Sequence, residues 1–184
     1  MTDYHLIQSQ YIEQNFKDIT LHAAVAYEKF NKIFGTSDST WTYEKYNIFC
    51  LASPSSFFYK IFLELRTIIM QICPADEIWM QAWMNYLSYD KLNRLDWHGH
   101  EYEYHGYICL DPKNTVTNFG DYQIENKSGQ IYIGPGHRLH KVEAVEPFDG
   151  FRTTIGFDLF LNKKTPLVNY KEMPWLNMGF IPVA

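Results

Sequence analysis

The sequence predicts an α+β chain, mainly β, with its helices gathered ahead of its sheet. Apolar residues recur at three- and four-residue steps through roughly the first 72 positions and then stop doing so. From residue 102 onward, short runs rich in Tyr, Ile, Val, Thr and Phe alternate with Gly, Pro, Asn and Asp turns. Five of the seven histidines (His98, His100, His105, His137 and His140) fall within residues 97–152, in the β-rich half.

Taken in order, residues 7–34 read as helix, because Ile12, Phe16, Ile19, Ala23, Ala26, Phe30 and Ile33 share one face and Gly35 is a natural stop. After a polar stretch at 36–40, residues 41–51 carry strand-type side chains. Ser53 is a candidate N-cap and Pro54 a first-turn proline for a second helix over 54–72, apolar at Phe57, Phe58, Ile61, Phe62, Leu65, Ile68 and Ile69. Pro74 ends it. Residues 77–87, with Trp79, Trp83 and Tyr86, suit a strand or a short helix; strand is preferred because a turn follows at 89–93. Further strands are predicted over 102–110, 122–125, 130–134, 140–146 and 151–160. The tail from 162 to 184 carries Pro166, Pro174 and Pro182 and is expected to be irregular or an edge strand. With no repeat, low-complexity segment or linker, residues 1–184 read as a single domain. It has a mainly helical flank (1–74), a β core (75–160) and a C-terminal extension (161–184).

Composition narrows the function classes. Hydrophobic residues make up 46% and charged residues 20%, a globular balance, and the aromatic content of 17% suits a β-rich core. A net charge of −5 and a pI near 5.8, with no long basic run, argue against a phosphate-neutralising face for nucleic acid. Cys50, Cys73 and Cys109 are widely spaced and form no CxxC pair, as expected of thiols in a reducing compartment. The N-terminus lacks the basic and apolar regions of a signal peptide, and no apolar run approaches the ~20 residues of a membrane span. The chain is expected to be soluble and cytoplasmic, in the host's cytoplasm if it is phage-encoded.

The histidine window points to metal chemistry. His98 and His100, two apart on an extended strand, would point to one face. His140, arriving from a later strand, could complete a three-sided cap on one divalent metal, leaving neighbouring positions open. A surface hairpin or an incidental His-rich turn would give the same letters. His137 lies in the Gly134-Pro135-Gly136 turn and reads as a rim residue; His105, out of phase with His98 and His100, is expected to point away. Arg152, Thr154, Gly156 and Asp158 share one face of the last predicted strand, where a guanidinium could bond a carboxylate with two parallel donors.

These segments resemble a family. Gly129 through Val142, with its glycine, proline turn and His140 two residues before Val142, resembles the late segment of iron(II)/2-oxoglutarate-dependent dioxygenases of the prolyl-hydroxylase-like kind. Trp97-His98-Gly99-His100, followed by Gly106-Tyr107-Ile108, resembles their proximal ligand motif and the strand after it. Arg152 and Thr154 resemble the arginine and hydroxyl residue that grip the far carboxylate of 2-oxoglutarate. The resemblance covers about residues 79–159 and implies a double-stranded β-helix (jelly-roll, cupin-like) with flanking N-terminal helices. It implies Fe(II) as metal, 2-oxoglutarate and O2 as cosubstrates, and hydroxylation of a prolyl or other peptide side chain, or of a small molecule, with release of succinate and CO2. The chain departs from the pattern at His100, where the family carries Asp or Glu. A three-histidine set of His98, His100 and His140 is therefore implied, unless a bulge brings Glu101 or Glu103 inward. Tyr102, Tyr104 and Tyr107 are candidates for lining the pocket or for cross-strand packing. Two other classes fit the same residues: a cupin-type metalloenzyme that uses no 2-oxoglutarate, and a non-catalytic β-sandwich binding module.

Overall fold

The computed structural model describes residues 3–34, 47–51, 55–161 and 180–184. Within these, the strands are β1 (His5–Gln8), β2 (Ile78–Leu87), β3 (Tyr104–Asp111), β4 (Thr115–Asn118), β5 (Gln123–Glu125), β6 (Gln130–Pro135), β7 (Lys141–Ala144), β8 (Arg152–Leu161) and β9 (Phe180–Pro182). They form a six-stranded sheet in the order β1-β6-β3-β8-β2-β9 and a three-stranded sheet in the order β5-β4-β7. Every pairing is antiparallel. The helices are α1 (Gln10–Gln14), α2 (Phe16–Phe34), α3 (Ile48–Leu51), α4 (Ser56–Ile72) and α5 (Tyr89–Leu92). This is a jelly-roll sandwich with flanking helices.

Strand alternation gives the large sheet two unlike faces. Ile78, Met80, Ala82 and Met84 of β2, Ile108 of β3, Ile131 and Ile133 of β6, and Ile155, Phe157 and Leu159 of β8 join one buried apolar cluster. The helices close that cluster: Ile19 and Ala23 of α2 and Phe58, Ile61, Leu65 and Ile69 of α4, spaced three or four apart, belong to it too. Each such fully buried Ile or Leu contributes about 1.5–3 kcal/mol. The opposite face carries Trp83, His105, Tyr107, Cys109, Tyr132, Arg152, Thr154 and Asp158. There a second cluster packs Tyr107, Cys109 and Tyr132 against Phe119 and Ile124 of the small-sheet side. The His105, Arg152 and Asp158 side chains of the large sheet thus face the space between the sheets.

Several predicted boundaries differ. The helix predicted to begin at residue 7 begins after Ser9, because residues 5–8 instead pair with β6 along the sheet edge. Ser9, fully buried, accepts a hydrogen bond from the Ile12 amide at 3.2 Å and donates to Glu64 at 2.7 Å. The second helix is capped by Ser55; the predicted start at Ser53 and Pro54 lies outside the described residues. Of the predicted 41–51 strand, residues 48–51 are helical, because Asn47 caps them through its side-chain oxygen on the Phe49 amide and anchors to the Met80 carbonyl. Residues 41–46, like Gly35 and most of the predicted tail, lie outside the description; the tail's end, β9, is an edge strand on β2. The segment 77–87 is strand, and the predicted turn at 89–93 is the single helical turn α5. β4 has no counterpart in the sequence prediction.

Ser9 joins β1, α1 and α4, so Ser9→Ala removes a cap and leaves Glu64 without this donor. The expected cost is about 1–2 kcal/mol, read as a lower urea midpoint at unchanged m-value.

Candidate metal centre

The cleft between the sheets is lined by Trp83, Leu95, His98, His105, Tyr107, Val142 and Arg152, among others, and encloses about 450 Å³ of empty space, part of it open to solvent. Four histidines converge there. One ring nitrogen from each of His98, His100 and His140 lies within 4.8 Å of the other two. Ring centroids are 4.4 Å apart for His98 and His140, 5.7 Å for His98 and His100, and 5.4 Å for His100 and His140.

The chain brings them together from both layers. His98 and His140 form an isolated antiparallel bridge, each amide bonded to the other's carbonyl at 3.0 and 2.8 Å. His100 is fixed by its amide to the Gly136 carbonyl at 2.8 Å and, through its ring, to Asp158 of β8. The sequence predicts His98 and His100 on one regular strand. The structure instead bends at residues 101–103, before β3 begins. That bend resets the phase, which is why the expectation for His105 fails. His105 is buried on the inward face of β3, with its ring flat against His100 at a centroid distance of 3.7 Å.

Hydrogen bonds fix the tautomers. The Nδ1–H of His98 donates to the Asp96 carbonyl at 2.8 Å, and that of His140 to the Arg138 carbonyl at 3.2 Å. The Nδ1 atoms of His100 and His105 each lie 3.0 Å from Asp158 Oδ1, and His100 is 3.2 Å from Oδ2. A carbonyl or carboxylate can only accept, so every one of these rings carries a proton on Nδ1, which leaves Nε2 as the nitrogen able to face a metal. Three convergent imidazole nitrogens can serve as the donor set of a divalent metal, and the outer acceptors on Nδ1 are the usual supports of such ligands. The residues therefore fit a metal.

Burial disfavours the charged form of three of these rings, His98, His105 and His140. His98 is held below its ordinary value by desolvation, His105 is pushed down to about 4 and His140 to about 2, in each case first by burial. For Asp158 burial acts upward, but the bonds from His100 and His105 outweigh it and the carboxyl is held low. Trp83 roofs the cluster, its indole stacked over His100 and His105 at 5.8 and 6.1 Å. Gly156 makes room for it: a Cβ there would come within 2.6 Å of the indole ring.

At the other end of β8's inward face, Arg152 is 3% exposed. Its Nε donates to Thr115 at 3.4 Å and its Nη1 to Thr154 at 3.2 Å, while Asn85 also donates to Thr154 at 3.2 Å. Among the described residues no carboxylate forms an ion pair with it, and burial pulls its pKa below the ordinary arginine value. Arg152 and Thr154 line the same cleft as the histidines, as does Tyr107. The other two tyrosines lie elsewhere: Tyr104 packs against the helix-side core, and Tyr102 sits against Phe160 at 5.0 Å. Glu101 is exposed, and Glu103 accepts from the Leu161 amide at 3.4 Å; neither joins the convergent set. His137 is exposed in its turn. Asp158, placed by sequence on the shared face but given no role, is the residue that sequence reasoning missed.

No family model and no curated protein matches the chain. Solved structures do match. Over 99% of its length the chain aligns with 92% of the non-heme α-ketoglutarate-dependent carbocyclase SnoK from nogalamycin biosynthesis, at a TM-score of 0.63 and 11% identity. Over 43% it aligns with 69% of a cupin-2 domain containing protein from Shewanella frigidimarina NCIMB 400 (TM-score 0.33, 20% identity). Over 47% it aligns with 70% of a cupin superfamily protein from Desulfitobacterium hafniense DCB-2 (TM-score 0.32, 15% identity). The likeness to SnoK, nearly end to end in both chains, bears on the fold, which is a jelly roll with flanking helices. Among the described residues no helix is long and apolar enough to cross a membrane.

The depressed histidines give a signed pH dependence. Below the ordinary value of 6.5 the unfolded chain takes up protons that folded His105 refuses until about pH 4 and His140 until about pH 2. Stability should therefore be level above roughly pH 7 and decline from about 6.5 toward 4. Thermal melts of metal-free protein check this, with a shallower decline expected for His140→Asn. A midpoint constant across that window would mean the rings are not held neutral.

Proposed function

We propose that the protein is an Fe(II)/2-oxoglutarate-dependent oxygenase, with His98, His100 and His140 holding the metal and Arg152 and Thr154 holding the far carboxylate of 2-oxoglutarate. The observation that carries this reading is Arg152. A buried guanidinium without an anion costs several kcal/mol, and this one lines the cleft into which the three histidines converge. A dicarboxylate with a keto-acid end has the chemistry for both: one end would neutralise the guanidinium, and the other would offer oxygen ligands to a metal held by the histidines. The likeness in fold to an α-ketoglutarate-dependent carbocyclase supports the same reading.

The chain's own residues have definite work. Arg152 offers parallel donors to a carboxylate, with the Thr154 hydroxyl beside it and Asn85 steadying that hydroxyl. Trp83, Leu87, Leu95 and Val142 form apolar walls that exclude water and strengthen each polar contact inside. The acceptors on Nδ1 keep the histidine rings aimed into the cleft. A bound ferrous ion would supply oxygen activation, coupled to conversion of 2-oxoglutarate to succinate and CO2. The substrate is a prolyl or other peptide side chain in the first instance, a small molecule in the second.

One observation favours a second reading, a cupin-type metalloenzyme that uses no 2-oxoglutarate: the set of His98, His100 and His140 holds three imidazoles and no carboxylate, the carboxylate of Asp158 grouping instead with His100 and His105. Anaerobic titration of the Fe(II) protein with 2-oxoglutarate separates the two, since chelation gives a visible charge-transfer band. A protein that binds Fe(II) yet forms no such complex and releases no succinate belongs to the second class.

Two sets of variants follow. His98→Ala and His140→Ala should each abolish stoichiometric Fe(II) binding by elemental analysis, and full metal content in both would move the site elsewhere. Arg152→Lys should weaken 2-oxoglutarate binding by one to two decades, roughly 1.5–3 kcal/mol for a lost charge-assisted bond, with Fe(II) affinity nearly unchanged.

A further inference from the structure

We propose that Asp158 is the positioning residue of this centre, delivering negative charge to the metal through His100 alone, and that His105 is the clamp holding Asp158 rather than a ligand. The inference rests on His98, His100 and His140 as metal ligands and adds the residue that makes them unequal. Asp158 is 3% exposed, and within the described residues its ion-pair contacts are the two imidazoles, with no Lys or Arg. Its oxygens lie 3.0 and 3.2 Å from His100 Nδ1, while Oδ1 also accepts from His105 Nδ1 at 3.0 Å. His98 and His140 rest on neutral backbone carbonyls instead. A carboxylate behind an imidazole fixes its tautomer and raises its basicity, which a carbonyl does more weakly.

His105 is arranged as a clamp. Its register partner on β8 is Asp158 itself, so the two side chains leave adjacent strands at the same level. Its ring lies parallel to His100 within 10°, and Trp83 covers both. His105 groups not with His98 and His140 but with His100 and Asp158, a second set close enough to hold a metal, whose members are here joined to one another by hydrogen bonds. Asp158 is therefore fixed by two donors and cannot swing toward one ring without releasing the other.

Two measurements test this. Histidine tautomers in metal-free wild-type protein are read by long-range nitrogen–proton NMR, which needs no variant. His100 and His105 should both carry Nδ1–H, and His100 found with its proton on Nε2 overturns the proposal. Zn(II) competition titration then compares wild type with Asp158→Asn, which keeps the shape and loses the charge. The variant should bind one Zn(II) about 10- to 100-fold more weakly. The amide N–H of the variant must find an acceptor, so at least one of the His100 and His105 tautomers should also change, while those of His98 and His140 stay. Affinity within twofold of wild type overturns the assignment. His105→Phe, which keeps a flat ring without donors, should lose less affinity than Asp158→Asn; a loss of stoichiometry there would make His105 a ligand. Wild-type protein that binds no Zn(II) removes the metal reading and this inference with it. Wild-type binding that Asp158→Asn leaves untouched removes this inference alone.

Discussion

Every residue of β8 from Arg152 to Leu159 is buried, yet the strand divides between two environments that cannot exchange. Ile155, Phe157 and Leu159 enter the helix-covered core, while Arg152, Thr154, Gly156 and Asp158 enter the cleft. A slip of one residue in the pairing with β2 or β3 would drive a guanidinium and a carboxylate into hydrocarbon and expose three large apolar side chains to the site. The register of β8 thus carries both the stability of the sandwich and the chemistry of the cleft. Its neighbours obey it: Trp83 sits opposite Gly156, Asn85 opposite Thr154, and His105 opposite Asp158.

The cleft also has a charge order. Asp158 lies at the histidine end of the inward face and Arg152 at the other, with Thr154 and Gly156 between them on the same strand. These opposite charges are not paired with each other: Asp158 bonds to the imidazoles of His100 and His105, and Arg152 to the hydroxyls of Thr115 and Thr154. Such separation is costly in a buried space. A cation among the histidines and an anion at Arg152 would neutralise both ends. One strand would then position metal and cosubstrate relative to each other without any loop between them.

The fold was legible where a pattern repeats: α4's apolar spacing and the alternation of β8 both show in the residues. That Arg152 and Thr154 share one face of β8 follows from strand alternation, whereas the grouping of His98, His100 and His140 was implied by the family resemblance and not by a count along one strand. What escaped was non-local. β1 is four residues whose strand character comes from pairing with β6, some 125 residues away in sequence, and not from its own letters. α3 hid behind strand-type side chains because a single buried Asn47 decides it. His105 was misjudged because phase was counted through residues 101–103, where the chain bends and counting fails. Asp158 was visible on the correct face, but only the fold shows that it meets two rings from a segment more than fifty positions earlier.

Trp83 has a consequence of its own. Its indole is 1% exposed and stacks on two of the imidazoles at the heart of the cleft, whereas Trp97 is 43% exposed beside His98. The protein thus carries an optical reporter in its interior: ultraviolet emission from Trp83 senses ring protonation, quenching cations and the polarity of whatever fills the cleft. With five tryptophans in the chain, the difference in emission between wild type and Trp83→Phe isolates this indole and lets events between the sheets be followed without any attached label.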